Sequence, residues 1–388
     1  MTTRARLSAA IAVATLITGS AMARADGAPL EWQKTTESPR PPARVDEATR
    51  PLLSLCGAAD TALTEVASAN VRAQLAGGKI MASDELAFTL RAAGSPHVWP
   101  RAWSVAGQGL EDGDVERRVR AWIAGWKRLG AGRCGVARAV APDGATVVAA
   151  VAVDALADLT AVPATARVGQ WITLEGTMIV PATAAKVVLL GPRGAPRTVV
   201  ASLTGDRVRA SFAVDKPGAW LVQVLATVST GPRPVLEALV HAGVAPPARY
   251  VPSPAPGEDA GRGAKADDEA MTRMVNAARA AEALEPLRRD PELDRLALEH
   301  SQEMLRQRVV GHDVGTGDPA ARVGAAGVQA RITGENVASA STLEGAHRAL
   351  WASPSHRGNL LLDQFTKVGI AVVRGPDGAV WVTELFTG

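Results

Sequence analysis

The 388-residue chain predicts a mixed α+β fold in several modules, with an all-β segment between two helix-and-strand segments. Three observations carry this reading. The first is composition: 47% hydrophobic and 21% charged residues suffice for two or three separate cores. The second is a change of period, from helical spacing with a closing hairpin at both ends to short β-rich runs over about 160–244. The third is a pair of proline-rich stretches, 26–44 and 245–267, which read as linkers.

Residues 1–25 read as a signal peptide: Arg4 and Arg6, an apolar run from Leu7 to Gly19, then the cleavage patterns Ala21-Met22-Ala23 and Ala23-Arg24-Ala25. The apolar run is too short to span a bilayer. The chain is therefore expected to be secreted or periplasmic, with no transmembrane segment after processing. Cleavage removes Arg4, Arg6 and Arg24, so the 42 basic residues fall to 39, equal to the 39 acidic ones. A chain that close to neutral gives no reason to expect nucleic acid or an anionic membrane as partner, although the sequence pI is about 9.1. Cys56 and Cys134, in an oxidising compartment, predict one disulfide within the first module.

The first module, 45–158, opens with an Ala- and Leu-rich helical run over Leu52 to Leu75 and closes with a hairpin over Cys134 to Val153, turning at Pro142-Asp143-Gly144. The middle module, 160–244, has β-rich runs at Val168 to Leu174, Lys186 to Leu190, Val208 to Val214 and Trp220 to Val228. That spacing predicts a small β-sandwich, and Pro217-Gly218-Ala219-Trp220 resembles the approach to the last strand of an immunoglobulin-like domain. It carries no catalytic constellation, so spacing or adhesion is its expected role.

In the last module, 268–388, Met271 to Ala283 reads as a helix whose start is favoured by Asp267, Asp268 and Glu269. Asp290-Pro291 supplies an N-cap and a first-turn proline for a second helix. Its apolar stripe of Leu293, Leu296, Ala297, His300 and Met304 makes His300 read as a core residue before a ligand. A third helix opens with Ser341 and Glu344 in capping-box spacing and ends at Ser353, because Pro354 cannot continue it. Strands over Val368 to Val373 and Ala379 to Phe386 close the chain.

The two end modules align with each other. Shifted by 233, Leu63, Ser68, Gln74 and Gly78 fall on Leu296, Ser301, Gln307 and Gly311, and Ala92-Ala93-Gly94 falls on Ala325-Ala326-Gly327. Shifted by 234, Cys134-Gly135-Val136-Ala137 falls on Val368-Gly369-Ile370-Ala371. This predicts two copies of one fold. In the first copy Lys79 takes the place of His312, and nothing matches Gly334-Glu335-Asn336 or Ser353-Pro354-Ser355-His356-Arg357. The polar groups are therefore not demanded by the frame.

From about Met271 to Gly388 the chain resembles the bacterial branch of the CAP superfamily of SCP-like extracellular proteins. The resemblance rests on Asn276, Arg279, Pro286-Leu287, Asp290-Pro291-Glu292-Leu293, Gly311-His312, Arg322, Gly334-Glu335-Asn336-Val337-Ala338, Trp351, Ser353 to Leu360, Val368-Gly369-Ile370 and Trp381 to Phe386, in the family's order. It implies an α-β-α sandwich with a surface cleft, lined in the family by two histidines and two glutamates that in some members hold a divalent cation. By motif, His312 and His356 take the histidine places and Glu335 one glutamate place. Ser353 stands where the second glutamate would fall, leaving Glu344 and Glu384 as the nearest substitutes.

Two imidazoles and a carboxylate suit zinc or another divalent cation, with Glu335 as ligand or as the candidate catalytic base. The plain alternative is that they hydrogen-bond across the cleft and fix its loops. Asn336, Arg357 and Asn359 read as groups that hold loop backbone, Arg357 alternatively binding an anion. The expected function is a secreted binding or cell-surface interaction protein whose extracellular ligand is a protein, a lipid or a cell-wall component. The rival is an extracellular metal-dependent hydrolase of peptidase type using the same cleft; a third reading is an adhesin with an inert cleft.

Overall fold

The computed structural model describes residues 29–388, so the signal-peptide reading of 1–25 lies outside the described residues. The first module runs β1 (Thr35–Thr36), α1 (Arg50–Cys56), β2 (Ala58–Ala59), α2 (Thr61–Leu75), α3 (Ser83–Ala92), β3 (Arg101–Gly107), α4 (Asp112–Ala124), β4 (Ala131–Val140) and β5 (Thr146–Ala155). The middle module is all strand: β6 (Ala157–Leu159), β7 (Val162–Pro163), β8 (Thr165–Ala166), β9 (Gln170–Met178), β10 (Ala184–Leu190), β11 (Arg197–Val200), β12 (Ser202–Thr204), β13 (Arg207–Val214), β14 (Gly218–Val228) and β15 (Gly231–Ala242). The last module has α5 (Asp267–Ala281), β16 (Arg288–Arg289), α6 (Pro291–Gln307), α7 (Pro319–Ala325), β17 (Thr333–Ala340), α8 (Leu343–Ala352), α9 (Pro354–Leu360), β18 (Lys367–Arg374) and β19 (Val380–Thr387).

Strand alternation builds the last module. Its sheet, ordered β16-β18-β19-β17, sends Ala371 and Leu385 to one face against Leu293, Leu296 and Val323 of α6 and α7. Val368, Ile370, Val382 and Phe386 go to the other face, against α5, α8 and Leu360 of α9. The first module repeats the layers: its sheet β2-β4-β5-β3 packs α2 and α3 on one face and α1 and α4 on the other. Cys56 and Cys134 are bonded there, linking the end of α1 to β4.

The two sheets share hairpin register. Ala131 pairs with Ala155 and Lys367 with Thr387, so shifting both strands by 234 turns one pairing pattern into the other. The helix alignment differs from the one read in the sequence. Asp60 caps α2 by accepting from Leu63 N, and Asp290 caps α6 by accepting from Glu292 N and Leu293 N, a shift of 230 rather than 233. Leu63 therefore matches Leu293, and Asn70 matches His300. Asn70 Oδ1 accepts from Met81 N as His300 Nε2 donates to Gly311 O. The shift of 233 resumes at the α3 and α7 ends, where Gly94 and Gly327 close the same turn. The last module is thus three residues longer in the stretch that carries His312, and Lys79 is not its counterpart.

The middle module consists of two sheets, β11-β10-β14-β15-β8 and β12-β13-β9-β6, that share one apolar core around Leu174, Leu189, Phe212, Trp220 and Val240. β14 is not its last strand, because β15 follows and pairs with it throughout. Both proline-rich stretches are docked on the modules. β1 pairs with β7, Trp32 Nε1 donates to Pro247 O, and Tyr250 donates to Asp84 of α3. Glu258 holds Arg348 of α8 through two hydrogen bonds.

Candidate functional site

α6 and β17 bring the first half of the site together. Glu335 lies on β17 opposite Leu385, so its side chain faces α6; the side chain is fully buried. Oε1 accepts from His312 Nδ1 at 2.8 Å and lies 3.7 Å from His300 Nε2. Oε2 accepts from Arg322 of α7 at 2.5 Å. Burial alone would push this carboxyl up, but the His312 hydrogen bond and the charges of His312, Arg322 and His300 more than offset it and hold Glu335 below the usual range. Burial lowers His300, with the Glu335 charge opposing it, and its Nε2 donates to Gly311 O.

The next residue on β17 faces the other way. Asn336 pairs with Glu384 across the strands and lies beneath α9. Its Nδ2 donates to His356 O and to Glu384 Oε2, and its Oδ1 accepts from Asn359. Asn359 also donates to Glu335 O, so the Asn pair ties α9 to β17. Burial pushes Glu384 up to about 7, with the Asn336 bond opposing it. Burial pushes His356 down to about 3, with nearby His312 adding to the effect, and its Nδ1 has no partner. Arg357 is spent locally, stacked over Trp351 and donating to Trp351 O, and burial lowers it to about 10.

α8 ends at Ala352 with Ser353 as its C-cap, as the following proline predicts, and Pro354 then opens a further helix at the position where a missing N–H costs least. α8 itself is capped by Thr342, not Ser341, through Gly345 N. Glu344 is exposed on α8, while Glu384 is buried beneath Asn336 and makes no hydrogen bond to Glu335.

Residues 272–386 match the family model described as the cysteine-rich secretory protein family, CAP. The C-terminal module is a CAP domain. A relative of this chain, the uncharacterized protein YkwD of Bacillus subtilis, is 31% identical over 123 residues, or 31% of this chain. The chain spans about half (47%) of that relative's length. Similar solved structures include an outer surface protein of Borrelia burgdorferi, 24% identical over 32% of this chain and 92% of that one, with TM-score 0.31. An extracellular protein containing an SCP domain from Bacillus anthracis is 17% identical over 58% of this chain and 89% of that one, with TM-score 0.30. A cysteine-rich secretory protein of Staphylococcus aureus is 11% identical over 60% of this chain and 80% of that one, with TM-score 0.28.

In the C-terminal module the carboxylate of the trio is engaged by protein groups. No three of the module's His, Cys, Asp and Glu side chains converge as a metal cluster among the described residues, and both oxygens of Glu335 already accept hydrogen bonds. Sequence reasoning named Arg322 only as part of the resemblance and set His300 in the core. The structure makes both of them partners of Glu335. The available signal was an arginine and a histidine on otherwise apolar helix faces, groups that are seldom buried unless paired. Among the described residues no helix is long and apolar enough to cross a membrane.

Proposed function

We propose that this is a secreted binding protein whose ligand seat is the cleft around His312, Glu335 and His356. The observation that carries the reading is unused hydrogen-bonding capacity: Arg322 Nη1, His300 Nδ1 and His356 Nδ1 are buried with no partner. Buried polar atoms are nearly always paired in a fold, so the unpaired ones, two beside the Glu335 carboxylate and one on α9, are capacity left for a ligand. A recess of about 410 Å³ between α6 and α7 is lined in part by His300, Thr316, Ala321 and Arg322, two partners of Glu335 among them, while His312, Glu335 and His356 lie outside its lining. The first module then reads as a second copy of the CAP fold without the site, supported by the shared hairpin register. The middle one reads as an immunoglobulin-like spacer.

Hydrolysis is less well supported. A general base works best with a pKa near the operating pH, whereas Glu335 is held low and bound to Arg322. A zinc ion would have to displace Arg322 and reorient His312. Full-length wild type and a His312→Ala/His356→Ala variant, each co-sedimented with purified cell-wall sacculi and with lipid vesicles, test the binding reading. Retention of the wild type by one matrix and its loss in the variant is expected; equal retention of both proteins, or none of the wild type, defeats it. Calorimetric titration of zinc into the same pair tests the metal version, which requires heat in the wild type that the variant lacks.

A further inference from the structure

A free-standing antiparallel sheet keeps its outer face polar and wet. Much of the outer face of the β14–β15 hairpin is dry: Gln223, Leu225, Glu237 and His241 are 0%, 6%, 7% and 3% exposed, with Ala219 left exposed and Leu221 and Leu239 half-buried. The flanking modules cover it. On one side Glu237 pairs with Arg91 of the first module. On the other, Gln223 donates to Ser353 Oγ at 3.2 Å and accepts from Ser355 N at 3.1 Å, at the start of the helix that carries His356. The hairpin tip reaches the second histidine: Thr230 O accepts from His312 N at 3.1 Å and from Asp313 N at 3.3 Å. Gly231 has φ +92°, and a Cβ there would lie 3.1 Å from His312 Cβ, so a larger residue would strain the tip and push His312 back by a few tenths of an ångström. Gln223 and Thr230 are seven residues apart on nearly extended chain, roughly 23 Å. One hairpin therefore touches both histidine-bearing walls of the cleft.

We propose that the β14–β15 hairpin is a built-in lid over the His312/His356 cleft: closed, it leaves both histidines only partly exposed, and displacement of the middle module opens them fully to a ligand. The proposal rests on the cleft being the ligand seat. The closing contacts are two backbone hydrogen bonds and one amide, with no covalent tie, which suits a reversible closure. A ligand that binds only the open form has its apparent affinity reduced by the open fraction, so loosening the lid strengthens binding without touching the cleft.

The test is carbethoxylation of the full-length chain by diethyl pyrocarbonate, with rates for each histidine mapped by peptide mass. Wild-type His312 and His356 are expected to react about tenfold or more slowly than free N-acetylhistidine, as closed sites do. Gln223→Leu and Gly231→Val attack the lid at its two ends. Each is expected to raise both rates at least about fivefold, while His347, buried in α8 and bonded to Pro256 O, keeps its wild-type rate and reports that the fold is intact. Wild-type rates equal to the free amino acid, or unchanged rates in both variants, overturn the lid. Carbethoxylation needs no ligand, so the two readings fail separately: rates that rise without retention on sacculi or vesicles defeat the binding site alone, and retention with unchanged rates defeats the lid alone.

Discussion

Glu335 and Glu384 sit on neighbouring strands, 4% and 0% exposed, and the fold treats them in opposite ways. Glu335 has a guanidinium and an imidazole and stays an anion; Glu384 has only the Asn336 amide and holds a proton up to about pH 7. The pH consequences have opposite sign. A carboxyl raised above its ordinary 4.5 stabilises the native state fully below about pH 4.5 and loses that contribution as pH rises through 7. Glu335, held low, contributes above its ordinary value and loses the contribution as pH falls through its depressed one. Glu384→Gln keeps the shape and the Asn336 contact but cannot ionise. It is expected to gain roughly 3 kcal/mol over the wild type between pH 4.5 and 8, read as the difference of urea midpoints, in which the titrations of His97 and His356 cancel. A difference that does not vary with pH would show that Glu384 is not protonated in the native state. Glu335 was legible in the sequence because Gly-Glu-Asn is a motif, whereas the state of Glu384 was not, since it depends on what faces it across a strand pair.

At the scale of elements, what the sequence showed and what it hid divide along local and non-local lines. Asp290-Pro291 announced the start of α6 because a cap and a first-turn proline are adjacent residues. The hairpin β18–β19 announced itself through its turn. The helix inside Ser353 to Leu360 was missed because proline reads as a stop when the residue before it already ends a helix, although it is also the best first residue of the next. The alignment of the two end modules agrees with the strand pairing at Gly135 and Gly369 and departs from the helix caps, since the longer His312 loop has no local signature. Those two glycines mark the same crossing. A Cβ on Gly135 would lie 2.1 Å from Leu63 C, and one on Gly369 would lie 2.1 Å from Leu293 C, so in each end module helix backbone rests directly on strand. Backbone cannot step aside as a side chain can. Gly369→Ala and Gly135→Ala are each expected to cost about 3 kcal/mol or more by overpacking, measured as a fall in the urea midpoint. If either substitution is neutral, the helix is not seated on the strand as described.

At the scale of the whole molecule, the proline-rich segments that read as spacers fasten the modules together. Arg91, Glu237, Gln223 and Ser353 form one polar chain, buried at Glu237 and Gln223, from the first module through the second to the third, and Asp84 receives both Tyr250 from the second stretch and Arg348 from α8. Composition could not reveal this, because Pro-rich chain that docks and Pro-rich chain that floats look alike until their partners are known. Such interfaces couple the stability of one module to that of another, and the disulfide gives a handle on the coupling that lies far in sequence from the CAP domain. Cys56 and Cys134 close a loop of 78 residues in the first module, so breaking the bond should cost about 4.5 kcal/mol in chain entropy. In a chain of independent modules, hydrogen exchange after reduction would speed up in β4 and β5 and leave β18 and β19 untouched. With the polar chain intact, opening the first module leaves Glu237 and Gln223 without part of their buried network, and that cost passes to the Ser353–Ser355 end of α9. Reduction of the full-length protein is therefore expected to lower amide protection in β18 and β19 together with β4 and β5, and Gln223→Leu to confine the loss to the first module.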